Sequence, residues 1–340
     1  MLHRFLMSSS VRLAAPLLLC ALATAACGDS SDAITVYSGR TESLVQPILE
    51  RYNEEADTGI RVRYAGTPEL AATILEEGDN SPADVFFAQD AGSLGALAAE
   101  DMLEPLPSDI LEMVAPQFRS PAGTWVGISG RARVVVYNTD AIDPAELPNS
   151  ILDYTADEWS GRLGWAPPNA SFQSFVTALR VLIGQDGARD WLTGIAANDV
   201  QDFPNNTTLV QAVANGEIDV GFANHYYLHQ FLAEEGEAFG ARNYYFSASD
   251  PGGLINVAGV GVLRTSGHKE AAFDFIRFLL ATEAQEYFAN ETYEFSLAGD
   301  VEPLPGQPAL DELAHPEIDL SDLDDLRGTV ELLEETGVLP

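Results

Sequence analysis

The chain has 340 residues, with 52 acidic against 17 basic side chains, a formal net charge of -35 and one lysine, Lys269. That balance excludes nucleic acid as a partner, because phosphate binding needs a basic face, while a cation is electrostatically welcome at such a surface. The acids are spread along the chain and mark no site, and an acidic, lysine-poor surface fits a life in high salt.

At the start, His3, Arg4 and Arg12 precede an apolar run from Leu13 to Ala26. It is short of the ~20 apolar residues a membrane span needs and reads as a secretory signal over residues 1–26. The run Leu22-Ala23-Thr24-Ala25-Ala26-Cys27-Gly28 places small residues directly before a cysteine, as at bacterial lipoprotein cleavage sites. We therefore expect lipid attachment at Cys27 and a tether over 27–32, with plain cleavage after Ala26 as the alternative. The expected location is the periplasm or the outer face of the cytoplasmic membrane. Cys20 and Cys27 are the only cysteines, so the processed chain holds no disulfide. Its stability must come from an apolar core, which about 310 residues supply, usually as two domains.

Ile34-Thr35-Val36-Tyr37 reads as a strand. Leu44, Val45, Ile48, Leu49 and Tyr52 then recur at helical spacing, with Pro47 tolerable only if that helix begins near Ser43. Ile60 to Tyr64 alternates like a strand, Pro68 to Glu77 is helical, Ala83 to Phe87 is a short buried strand and Ala91 to Glu100 a helix. Such alternation implies a largely parallel sheet with helices on both faces. Val126-Gly127-Ile128 and Arg133 to Tyr137 form two strands around Ser129-Gly130-Arg131. Alternation resumes with a strand at Leu163 to Ala166 and helices at Ser171 to Ile183, Ala188 to Ile195 and Thr207 to Asn215. Strand Ile218 to Ala223 leads into helix Tyr226 to Glu234. Leu254 to Leu263 is a long strand, and Ala272, Phe275, Ile276, Leu279 and Leu280 line one face of a helix. The reading is two α/β lobes, 33–128 with 256–300 and 129–255, crossed near Ser129 and Leu254 as a hinge. An acidic, partly helical segment follows over 301–340.

Tyr226 and Tyr227 are adjacent at a strand end, in Asn224-His225-Tyr226-Tyr227. A phenol ionises near pH ~10 in water, and a hard, highly charged cation can displace its proton. Oxygen donors suit hard cations, so paired phenolates point to ferric iron; half-buried packing is the plain alternative. His225 is a further candidate ligand, and His229 lies three residues beyond Tyr226. Tyr244-Tyr245, in a strand pattern, reads as structural. No nucleophile–base constellation, paired-cysteine or phosphate-loop signature is present, so no enzymatic activity is expected.

Four runs stand in order: Ser81-Pro82-Ala83-Asp84-Val85-Phe86-Phe87-Ala88-Gln89-Asp90, Ser129-Gly130-Arg131-Ala132-Arg133-Val134-Val135-Val136-Tyr137-Asn138, Asn206 with Gln211 to Asp219, and Asn224 to Tyr227. Together they resemble bacterial periplasmic ferric-iron-binding proteins, the solute receptors of iron ABC importers. The resemblance runs from about Ile34 to Pro303. It implies a two-lobed, hinge-closing type II periplasmic-binding fold with a ligand cleft, working with a permease and an ATPase; beside it we expect a membrane contact through the lipid at Cys27 and a monomer. The resemblance implies Fe(III) bound by Tyr226 and Tyr227 with a synergistic anion, carbonate or phosphate. Asn224, Asn206, Arg131, Asn169 and Ser171 match anion positions, and a helix start such as that at Asn169 suits an anion. The sequence departs from the family where Thr41 and Gln89 stand in place of the usual His and Glu. Asp90 or Glu42 then become candidate substitutes, and Arg40 would favour an anionic chelate over bare iron. The alternative is another ligand in the same fold: an iron chelate, phosphonate, polyamine or sugar.

Overall fold

The computed structural model describes residues 33–247 and 249–340; Cys27 and the signal segment lie outside the described residues. In chain order the first elements are β1 (Ile34–Ser38), α1 (Glu42–Glu55), β2 (Ile60–Tyr64), α2 (Thr67–Glu77), β3 (Val85–Ala88), α3 (Ala91–Ala99) and α4 (Ser108–Glu112). Next come β4 (Val126–Asn138), β5 (Leu163–Trp165), α5 (Ala170–Ala197), β6 (Gln201–Asp202), α6 (Asn206–Ala214), β7 (Val220–Asn224), α7 (Tyr226–Glu235) and β8 (Ala241–Tyr244). The last are β9 (Ile255–Val262), α8 (Lys269–Leu280), α9 (Thr282–Glu291), β10 (Phe295–Ser296) and α10 (Leu326–Glu335). α1 buries Val45, Ile48, Leu49 and Tyr52 at the expected spacing, and Pro47 lies inside it rather than in its first turn. α5 breaks at Gly184, whose φ of 79° only glycine adopts freely, and this separates the two helices read from the sequence.

The strands are ordered β2-β1-β3-β9-β4-β7-β5-β6, with β8 and β10 also paired to β4. β1 pairs parallel with β2 and β3, and β5 pairs parallel with β6 and β7. The centre is antiparallel: β4 runs against β7, β8, β9 and β10, and β9 runs against β3. The sheet is thus mixed where the strand–helix alternation implied a largely parallel one, because β4 and β9 cross the molecule as two long strands between the parallel groups.

The two short strands expected around Ser129-Gly130-Arg131 are one continuous strand, β4, with a register shift between Gly127 and Ser129. Gly130 does not break it, because β10 lies close there: a Cβ at Gly130 would sit 3.1 Å from Leu297 and 3.3 Å from Phe295. Beyond Ala132, β4 leaves β9 and pairs with β7. From there its side chains alternate. Val134 and Val136 join a cluster with Leu209, Val210 and Val213 of α6, while Val135 and Tyr137 join one with Trp165, Phe175 and Trp191, as the two-residue period of a strand requires. A third cluster gathers β1, β3, β9 and the faces of α1, α2 and α8.

The segment after residue 300 is more firmly seated than an acidic tail would be. Leu320 and Leu323 are buried in the cluster around β1 and β9, and Leu332 and Leu333 of α10 in the cluster around α5. The turn at 320–324 lies directly on α3, where only glycines leave room. A Cβ on Gly92 would meet the Leu323 carbonyl oxygen at 2.1 Å, and one on Gly95 the Ser321 oxygen at 2.3 Å. Gly95→Ala should therefore destabilise the fold by about 1–3 kcal/mol, the usual cost of overpacking, seen as a lower urea midpoint. An unchanged midpoint would mean the turn is not seated there.

Candidate metal and anion site

β7 delivers the tyrosines. Its apolar run ends at Asn224, opposite Arg133 of β4, and after His225 the chain enters α7 with Tyr226 and Tyr227 as its first two residues. Their ring centroids are 4.4 Å apart. The Tyr226 phenol is pushed far above its ordinary range, chiefly by burial and then by Tyr227, with Arg131 pulling the other way. A phenol held like this keeps its proton until a stronger cation takes the proton's place.

Arg133 lies buried beside the pair. Its Nη1 donates to Asn224 Oδ1 at 3.1 Å and to Ser171 Oγ at 3.5 Å, and its guanidinium lies over the Phe175 ring at 5.1 Å. Burial lowers its pKa to about 10, with Tyr226 and Tyr227 pulling the other way, so it stays protonated at neutral pH. Ser171 donates from N and Oγ to Asn169 Oδ1 at 2.9 and 2.7 Å, and accepts from Asn206 Nδ2 at 3.1 Å. Four residues read from the sequence as anion contacts, Asn224, Asn206, Asn169 and Ser171, therefore form one network with Arg133. Within it, Arg133 Nη2 and Asn206 Oδ1 are buried and unpartnered.

Arg131, the arginine expected at the anion, is placed differently. Its Nη2 donates to the Gln89 carbonyl oxygen, tying β4 to the turn after β3. Arg133 was the residue missed, although the strand period gave a signal: 131 and 133 share a face. Both arginines, with Ser171, Asn224, Asp90 and Asn256, line a cavity of about 1070 Å³. Asn169 and Asn206 stand behind Ser171, and the tyrosines stand beside the two arginines, off the cavity wall itself.

The candidate acids of the first half are less committed to a metal. Asp90 caps α3, its Oδ1 accepting from Ser93 N at 3.0 Å, and Glu42 is exposed in the first turn of α1; both border the cavity. Among the described residues no group of three or more His, Cys, Asp or Glu is arranged to hold a metal ion. His225, the further candidate ligand, is buried, accepts from Ala132 N at 3.2 Å through Nδ1 and stacks on Phe295 at 4.4 Å. Burial lowers its pKa to about 3, so it packs as a neutral ring.

A family model for bacterial extracellular solute-binding proteins matches residues 37–286. The Fe(3+)-binding periplasmic protein of Serratia marcescens is 34% identical over 331 residues, 96% of each chain. The major ferric iron-binding protein of Neisseria meningitidis is 33% identical over 335 residues, 98% of this chain and 100% of that one. The chain belongs to the periplasmic ferric-iron-binding, extracellular solute-binding proteins. Iron-bound HitA from Pseudomonas aeruginosa matches this solute-binding protein with a TM-score of 0.81 at 33% identity, over 90% of this chain and 99% of that one. A Trichodesmium protein in complex with iron and citrate matches with a TM-score of 0.79 at 27% identity, over 90% and 99%. The fold is the mixed α/β type II periplasmic-binding fold.

In this solute-binding protein Arg40 does not serve as a free cation at the cleft. Its Nη2 donates to Glu294 Oε1 and Oε2 at 2.9 and 3.0 Å, with both side chains almost wholly buried, and Ser129 Oγ donates to the same carboxylate. The expectation that Arg40 selects an anionic chelate is corrected, because Glu294 already neutralises it. Removing one member of a buried ion pair strands the other. Glu294→Gln should therefore cost about 3–5 kcal/mol in chemical unfolding of the ligand-free protein; a loss under 1 kcal/mol would show that Arg40 is compensated elsewhere.

Proposed function

We propose that this protein is an extracytoplasmic receptor that captures Fe(III) together with a synergistic anion and delivers it to the permease and ATPase of an ABC importer. Tyr226 and Tyr227 bind the metal as phenolates; Arg133, Asn224 and Ser171 hold the anion. The carrying observation is the buried Arg133 beside the tyrosine pair, donating to Ser171 and Asn224. As Fe(III) arrives, both phenols give up their protons to solvent. Arg133 and the anion then complete the charge around an ion that few acidic side chains approach. Carbonate or phosphate both fit that role, and an iron chelate in place of the bare ion is a second reading, favoured by the absence of a metal-holding acid cluster among the described residues.

Capture is completed by closure of two lobes, 33–128 with 256–300 and 129–255, about β4 and β9. A bound ligand shifts the population toward the closed state by contacting both sides of the cleft. The separate core clusters on either side of Ala132 support this division. The receptor acts as a monomer held to the membrane by lipid at Cys27, and performs no chemistry on its cargo beyond exchange of protons and ligands.

Purified protein given ferric iron in bicarbonate should develop a visible phenolate-to-iron colour that survives dialysis. Tyr226→Phe and Tyr227→Phe should each abolish it and Tyr245→Phe should leave it; a colourless wild type would sink the reading. Arg133→Gln, which removes hydrogen bonds to a charged partner worth ~1.5–3 kcal/mol, should weaken iron retention ~10- to 100-fold.

A further inference from the structure

The C-terminal segment forms part of the wall of the cargo cavity. Its turn at 320–324 is locked against Gly92 and Gly95 of α3, with Ser321 Oγ accepting from Trp125 Nε1 at 3.3 Å. Immediately afterwards it is locked to α5: Arg180 donates to Asp325 Oδ2 at 2.7 Å and to Thr329 Oγ1 at 2.9 Å, and the Thr177 and Thr329 hydroxyls meet at 2.8 Å in the interior. Between these two anchorages Leu323, Asp324, Leu326 and Arg327 face the same cavity as Arg133, Ser171 and Asn224.

The cations of this wall differ in how far they are already engaged. Arg40 is neutralised by Glu294, Arg131 is bonded to the Gln89 carbonyl and Arg133 to Asn224 and Ser171. Arg327 is exposed, and among the described residues it makes no hydrogen bond or ion pair. The acid whose ionisation it most clearly favours, Asp325, is already bonded to Arg180. An unengaged guanidinium is unusual in a chain with 52 acids against 17 bases. Guanidinium is also the side chain best matched to carboxylate oxygens.

We propose that Arg327 is a specificity-determining residue of the binding site: it takes a carboxylate of a polyanionic ferric chelate, and so favours that cargo over Fe(III) with a small dianion. The inference rests on the iron-receptor reading above. Fe(III) with two phenolates carries one positive charge. A carbonate dianion turns that into one negative charge, which Arg133 beside the tyrosines balances. A tricarboxylate leaves a further negative charge, and Arg327 is the unengaged cation lining the same cavity as Arg133. Asp324, beside Arg327 on that wall, opposes it.

The test uses the full-length protein and two probes, ferric citrate and ferric iron in bicarbonate, following the phenolate–iron colour against a competing chelator. Arg327→Gln should lose about tenfold in affinity with citrate, the scale of one hydrogen bond to a charged group, and nothing with bicarbonate. Arg327→Lys should retain part of the citrate affinity, and Asp324→Asn should raise it. Equal behaviour of wild type and Arg327→Gln with both probes overturns the inference, as does an equal loss with both. A wild type that never colours with either probe removes the iron-receptor reading itself, and this inference with it.

Discussion

A positive charge buried among neutral partners is the constraint from which the site follows. Arg133 has Asn224, Ser171 and the Phe175 face around it, and no carboxylate among its hydrogen-bond partners. Burying such a charge is costly unless it is paired, and the lowering of its pKa to about 10 reflects that cost. Negative charge developing on Tyr226 and Tyr227 relieves it, and so does an anion placed between them. The same cost falls on Tyr226 with opposite sign, because its burial opposes ionisation. A trivalent cation with an anion resolves both at once, which is why the two halves of the proposed site belong together energetically and not only in space.

What holds Arg133 in place is β4. Thirteen residues are buried along it; those before residue 133 pair with β9 and those from 133 onward with β7. Arg133 is thus the first residue on the second partner, opposite Asn224, which ends β7 just before the tyrosines. Val134 and Val135 next to it are committed to cores on opposite faces. A one-residue slip would exchange those faces, so packing fixes the arginine's direction more strongly than its own hydrogen bonds do.

The parts of this arrangement written locally were legible in the sequence. Tyr226, Tyr227 and Asn224 lie within four residues, Ser171 follows the helix start at Asn169, and α1, α2 and α8 follow their apolar spacing. Arg131 and Arg133 share a strand face, and only the register against β7 decides which one reaches Asn224. The Arg40–Glu294 pair spans 254 positions, and no local pattern links its members. The seat of the C-terminal turn on Gly92 and Gly95 was equally hidden, since a glycine within a helix signals only lower propensity until the opposing backbone is known. The mixed sheet escaped for a related reason: alternation of strands and helices describes the parallel groups and is silent on the two long strands crossing between them.

That hidden segment bears on closure. Leu323 belongs to one core and Leu332 to another, nine positions apart, so on the two-lobed reading the chain crosses between lobes a third time. The two ends of this crossing are apolar and buried, and extracting either would cost on the order of kilocalories per side chain. Its middle is held to α5 by Arg180, which donates to Asp325 and Thr329, and by the buried Thr177–Thr329 contact. On that reading a lobe motion must either carry residues 325–329 along with α5 or break these bonds. The stretch borders the cavity through Asp324, Leu326 and Arg327, so on the same reading the place of Arg327 at the cavity is tied to α5.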